Sequence, residues 1–100
     1  ANHCVYGLAK AALNHLTASL ALEFAPFATV NAIAPGLLWY PGLPEELNRS
    51  IAKLTPGGRL TTMEQVASAA VLLCTEPFDT TTGQVLVMDG GQSIPVMKGV

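Results

Sequence analysis

Residues 3–24, HCVYGLAKAALNHLTASLALEF, carry apolar side chains at 5, 8, 9, 12, 13, 16, 20 and 22. That spacing predicts a helix, and the Ala, Leu and Lys content favours one. Pro26 sets its end, because a residue before proline disfavours helical geometry. The apolar positions cover more than one face, which predicts burial by the helix's own sheet and by a further surface such as another subunit. Residues 28–34, ATVNAIA, are short and apolar, with β-branched side chains at 29, 30 and 33, and stop at Pro35-Gly36. This predicts a strand covered on both faces, as in a parallel sheet. Residues 37–43, LLWYPGL, form an apolar loop. Pro44, Glu45 and Glu46 open a short helix running to about Lys53. TPGGR at 55–59 is a loop, and Thr61-Thr62-Met63-Glu64 fits a capping box for a helix that ends before Pro77. Residues 78–83 are a polar turn. QVLVM at 84–88 is a second buried strand, stopped by Asp89-Gly90-Gly91.

The order is helix, strand, helix, helix, strand. Two strands joined through helices make a right-handed parallel crossover, and a sheet of two strands does not stand alone. The expected fold is α/β, part of a doubly wound parallel sheet with two strands and about three helices present. Composition points the same way. Half of the 100 residues are hydrophobic and 12% are charged, which is apolar for so small a domain. Together with a first residue other than Met, this leads us to expect that residues 1–100 are the C-terminal portion of a single larger domain whose N-terminal portion lies outside this sequence. No run of 18 apolar residues suggests a membrane span. A net charge of −2 gives no basic footprint for nucleic acid or membrane. There is no signal-peptide pattern. Cys4 and Cys74 make neither a disulfide framework nor a metal site. They are expected as small buried hydrophobes in a reducing, cytoplasmic setting.

Three elements could carry chemistry. Tyr6 and Lys10, four apart, share one helix face. A tyrosine hydroxyl ordinarily titrates at about 10. A nearby ammonium favours the phenolate, and a phenol tuned in this way can protonate an alkoxide as it forms. A surface Tyr and Lys on any helix would look the same. Pro35 and Gly36 fall at the carboxyl end of the first strand, where open α/β sheets bind ligands, and a glycine there admits close backbone approach. An ordinary strand-ending turn is the competing explanation. Thr82-Gly83-Gln84, a strand and Asp89-Gly90-Gly91 form the third element, most simply two turns around an edge strand. His3 stands one turn before Tyr6 and could border the same site. His15 suits a helix-packing or subunit face, Glu23 and Asp89 suit structural roles, and Arg59 suits a surface or interface. No metal ligand set is expected.

YGLAK (6–10), VNAIAPG (30–36) and TGQVLVMDGG (82–91), with LALEFAP (20–26) closing the first helix, resemble the C-terminal signatures of the short-chain dehydrogenase/reductase family in order and spacing. The resemblance implies a Rossmann-like fold and an NAD(P)-dependent oxidoreductase, with NADP favoured and NAD open. By the same resemblance, Tyr6 is the catalytic acid, and Lys10 binds the nicotinamide ribose hydroxyls and assists Tyr6. Pro35, Gly36, Leu37 and Leu38 line the nicotinamide. The family's serine and glycine-rich phosphate loop would precede Ala1, and family members commonly pair through this helix as dimers or tetramers.

Two departures narrow the substrate class. Thr29 stands where many relatives carry an arginine, and Leu37-Leu38-Trp39-Tyr40-Pro41 replaces a stretch that often holds a threonine. The loop, the acidic helix at Glu45-Glu46 and Thr55-Pro56 before Arg59 are more similar to the pteridine reductase-like branch, including dihydromonapterin reductases. Trp39 and Tyr40 would suit a flat heteroaromatic ring by stacking, or could close a lid or meet a partner subunit. A 3-oxoacyl thioester or alcohol/ketone reductase is the alternative within the family. A non-catalytic reductase-like binding or scaffold protein is the alternative outside it, and would have less reason to keep Tyr6 and Lys10 on one face.

Overall fold

The structure is a computed structural model, and it describes the backbone from Asn2 to Pro95 and side chains from Cys4 to Pro95. The elements are α1 (Asn2–Phe24), β1 (Ala32–Pro35), α2 (Glu45–Ala52), α3 (Met63–Leu73), a 3₁₀ turn (Glu76–Phe78) and β2 (Val85–Met88). β1 and β2 are neighbours in a two-stranded sheet. The Ala32 N–H donates to the Gln84 carbonyl and the Gly36 N–H to the Met88 carbonyl. The partners thus advance in step and the strands run parallel, as the crossover reading requires.

The described residues fall into two compact units. The first runs up to Ile33 and resumes at Ala70–Leu86. In it α1 buries Thr17 and Ala21, and the methyl of Ala21 faces the backbone of Gly83, 3.5 Å from where a side chain there would start. Asn31 fastens the chain ahead of β1. Its Nδ2 donates to the Thr81 carbonyl at 2.9 Å and its Oδ1 accepts from the Gln84 N–H at 3.1 Å. The Val30 N–H donates to Thr82 Oγ1. Over residues 28–31 these side-chain bonds are joined by one backbone bond, from the Gly83 N–H to the Val30 carbonyl at 2.7 Å, and the strand expected at 28–34 is confined to Ala32–Pro35 and includes the proline.

The second unit is Ala34–Ala69 with the chain from Val87 on. α2 starts at Glu45 with Pro44 as its cap, and the Pro44 carbonyl accepts from Leu47 and Asn48. Its Glu45–Arg49 ion pair is exposed, where such pairs contribute little. The capping box of α3 is displaced by one residue from the expected Thr61–Glu64. The Gln65 N–H donates to Thr62 Oγ1 and the Thr62 N–H to Gln65 Oε1, the reciprocal geometry of that motif. Thr61 is used elsewhere, donating its hydroxyl to the Met88 carbonyl at 2.7 Å.

The core is small. Among the described residues only Ala21, Ala52 and Leu60 are buried apolar side chains. α1 exposes Val5, Leu8, Leu13, Leu16 and Leu22, and β2 exposes Leu86 and Val87. The expected burial of both strands on two faces is corrected accordingly. β1 is half-buried throughout and β2 is half-buried only at its ends, because two paired strands offer few neighbours to cover their faces. Cys4 and Cys74, expected inside, are both exposed free thiols. The exposed apolar surface is greatest along α1.

Candidate functional site

In the first unit, Tyr6 and Lys10 stand one turn apart on α1. The Lys10 ammonium lies over the Tyr6 ring, 5.6 Å from its centroid. Both side chains are exposed, Tyr6 to 64%, so a ligand can reach the phenol and the ammonium together. A cation over an exposed ring contributes about 0.5–1 kcal/mol, enough to bias the two side chains toward one another. The donor set suits a diol, since the ammonium has three N–H donors and the phenol both donates and accepts. His15 and Glu23 are also exposed on α1. The His3 side chain lies outside the described residues. Two open hollows of about 250 and 280 Å³ occur in this unit, the larger lined by Asn31, Ile33, Ala70, Leu73 and Cys74. Neither includes a predicted site residue.

In the second unit, Pro35 ends β1 and Gly36 follows, its N–H donating to the Met88 carbonyl at 3.2 Å. A side chain at Gly36 would start 2.6 Å from Asp89 Cβ and 3.1 Å from Asp89 Cα. Glycine is thus required here by the chain's own turn after β2. Leu37 is exposed, while Leu38 and Trp39 are half-buried. Leu38 forms an isolated parallel bridge with Thr61, and the Trp39 N–H donates to the Thr61 carbonyl at 2.9 Å. Tyr40 is about half exposed.

Two residues to which the sequence reading gave no role in the site, Thr61 and Asn48, hold this segment. Thr61 anchors one side, as above. Asn48 on α2 anchors the other, with Nδ2 donating to the Tyr40 carbonyl at 2.8 Å and Oδ1 accepting from the Tyr40 N–H at 3.3 Å. Asn48 is 1% exposed, the most deeply buried side chain described. The signal available was a lone amide amid the exposed charges of EELNR. Asp89 is structural, as expected. It accepts from the Gly91 and Ser93 N–H groups, both at 2.9 Å. A hydrogen bond from the Ser93 side chain holds its carboxyl below the usual range against the upward push of burial, with the backbone donors at Ser93, Gly91 and Asp89 adding to the lowering.

The family model described as enoyl-(acyl carrier protein) reductase matches residues 1–93. The chain belongs to the short-chain dehydrogenase/reductase family. A relative called an uncharacterized oxidoreductase in Mycobacterium tuberculosis is 40% identical over 90% of this chain and 36% of its own length. The cis-4-hydroxycyclohexanecarboxylate dehydrogenase of Sinomonas cyclohexanicum is 38% identical over 91% of this chain and 38% of its own. The solved structure of a C-terminal deletion mutant of the aldohexose dehydrogenase of Thermoplasma acidophilum matches with a TM-score of 0.80 at 30% identity, covering 90% of this chain and 45% of that one. The short-chain dehydrogenase/reductase fold is therefore Rossmann-like α/β, and the three helices and two parallel strands described here are a portion of it. The chain spans little more than a third of the length of the curated relatives it matches. Among the described residues no helix is long and apolar enough to cross a membrane, and no group of His, Cys, Asp and Glu side chains could hold a metal ion.

Proposed function

We propose that this chain is the C-terminal portion of an NAD(P)-dependent oxidoreductase in which Tyr6 donates the proton to the atom being reduced. The observation that carries the proposal is the exposed Tyr6–Lys10 pair, with the ammonium already held against the phenol ring. The bound nicotinamide supplies the hydride, to the carbon of a carbonyl or to a pteridine ring. Tyr6 Oη then gives its proton to the oxygen or nitrogen that gains the electron pair, and Lys10 holds the ribose hydroxyls and offsets the charge left on the phenolate. Pro35, Gly36, Leu37 and Leu38 line the nicotinamide. NADP is the cofactor we favour, with NAD as the alternative.

For the substrate we favour a pteridine-like heteroaromatic ring, because Trp39 and Tyr40 bring two aromatic faces into one short loop. A second reading has its own support. The Sinomonas relative is named for a ring alcohol and the matching family description for an acyl carrier substrate, so an alcohol/ketone or acyl thioester reductase is the competitor. The apolar face of α1 supports a homodimer or homotetramer. The test is NADPH oxidation by the full-length protein with 7,8-dihydrobiopterin, 4-oxocyclohexanecarboxylate and an acetoacetyl thioester side by side. Faster turnover of dihydrobiopterin supports the pteridine reading, faster turnover of either competitor reverses it, and no turnover of any with NADPH or NADH sinks the oxidoreductase proposal.

A further inference from the structure

The geometry points to Asn48 as a positioning residue that sets the specificity loop, a role that rests on Trp39 and Tyr40 facing the substrate as proposed above. Asn48 sits in the middle of α2 and is the side chain most completely removed from solvent. Both of its observed hydrogen bonds go to one residue, the donor to the Tyr40 carbonyl and the acceptor to the Tyr40 N–H. A buried amide used in this way specifies one backbone position and register, which an apolar side chain of the same volume could not do. On the other side of the two aromatic residues, Thr61 bridges Leu38 and accepts from the Trp39 N–H, and its hydroxyl is tied to the Met88 carbonyl. The backbone from Leu38 to Tyr40 is therefore clamped from two directions. The Leu43 N–H bond to the Tyr40 carbonyl closes the turn that follows. The exposed Tyr40 ring and the half-buried Trp39 ring leave a backbone that is fixed, and Asn48 is one of the residues that fix it. Asn48 touches no reacting atom in this arrangement. It selects the substrate by holding the rings.

The variants are Asn48→Ala, which removes both bonds, and Asn48→Asp, which keeps the acceptor but sets a carboxylate against the Tyr40 carbonyl. Both are made in the full-length protein, with Asn48→Ser as the milder change should either fail to fold. Hydrogen exchange of the peptide covering residues 38–43 is followed by mass spectrometry, beside kinetics with NADPH and whichever of 7,8-dihydrobiopterin or 4-oxocyclohexanecarboxylate the wild type turns over faster. Exchange in 38–43 is expected to speed up by about tenfold in Asn48→Ala. KM for the substrate should rise by a similar factor, with kcat within about twofold and KM for NADPH unchanged. Unchanged exchange overturns the clamp. Faster exchange with an unchanged substrate KM overturns the specificity role. A wild type that turns over neither probe but does turn over the acetoacetyl thioester overturns the specificity role and leaves the oxidoreductase reading standing, one that turns over none of the three refutes both, and in either case exchange still decides the clamp.

Discussion

At Gly36 the sequence and the structure offer different reasons for the same residue. Position in the sheet suggests a glycine that lets a ligand approach, whereas Asp89 occupies the space a side chain there would need. Gly36→Ala separates the two. The new methyl carbon would lie 2.6 Å from Asp89 Cβ, 3.1 Å from Asp89 Cα and 3.2 Å from Gln92 Oε1, where ordinary contact begins at 3.4 Å. The glutamine end can swing away. Asp89 cannot, because its carboxylate is bonded to the Gly91 and Ser93 N–H groups and the preceding carbonyl, at Met88, accepts from Gly36 itself. Backbone must therefore move by the better part of an ångström, a form of overpacking that costs about 1–3 kcal/mol. At about 2 kcal/mol, the melting temperature of a domain of about 150–250 residues falls by roughly 4–8 °C. The assay is thermal unfolding of full-length Gly36→Ala, Asp89→Gly and the double variant by circular dichroism. A direct clash requires the two changes to be non-additive, with the double variant recovering about 1 kcal/mol or more. A Gly36→Ala protein that melts like wild type and loses only cofactor affinity would refute the packing explanation and restore the ligand-approach one.

Two further predictions follow from local geometry. Thr62→Ala removes one half of the reciprocal cap with Gln65 and should lower stability by about 0.5–2 kcal/mol; a change at Glu64 that proved the more costly would return the cap to the Thr61–Glu64 register. Asp89→Asn removes a carboxylate whose pKa lies below its ordinary 3.8 in the fold. A lowered folded-state value stabilises the protein above the unfolded value, and that contribution fades as pH falls through the folded one. The wild type's advantage over Asp89→Asn should thus be present at pH 5–7 and shrink as the pH drops below about 3.8. Chemical denaturation across that range reads it, and a gap that widens toward acid would contradict the assignment.

Helical periodicity located α1 and α3 because long elements average over local exceptions, and α2 followed from Pro44 and the acidic pair. β1 was harder. ATVNAIA has strand composition throughout, yet its first half is held by Asn31 and Thr82 side chains, whose partners lie some fifty residues away and leave no local trace. The capping box slipped by one because Thr61 and Thr62 each fit the pattern and only the distant Met88 carbonyl decides between them. Burial misled for a physical reason. Strand and helix patterns report the surface a chain is built to cover, and this chain leaves much of it open, so Cys4, Cys74, Leu86 and Val87 lie exposed. Of the candidate site, the placement of Tyr6 and Lys10 one turn apart on α1 was legible from spacing, while their assigned roles rest on the family resemblance. Asn48 was not, since a single amide in a polar helix announces its role only when its partner, Tyr40, is folded beside it.

The central claim is that Tyr6 is the proton donor of an NAD(P)-dependent oxidoreductase. The most direct measurement is single-turnover NADPH oxidation by full-length Tyr6→Phe, with NADPH binding measured in parallel by fluorescence. Removal of one hydroxyl should lower the rate by about 10²–10⁴-fold while NADPH affinity stays within about twofold, because Lys10 remains to hold the ribose. Turnover at the wild-type rate would contradict the account.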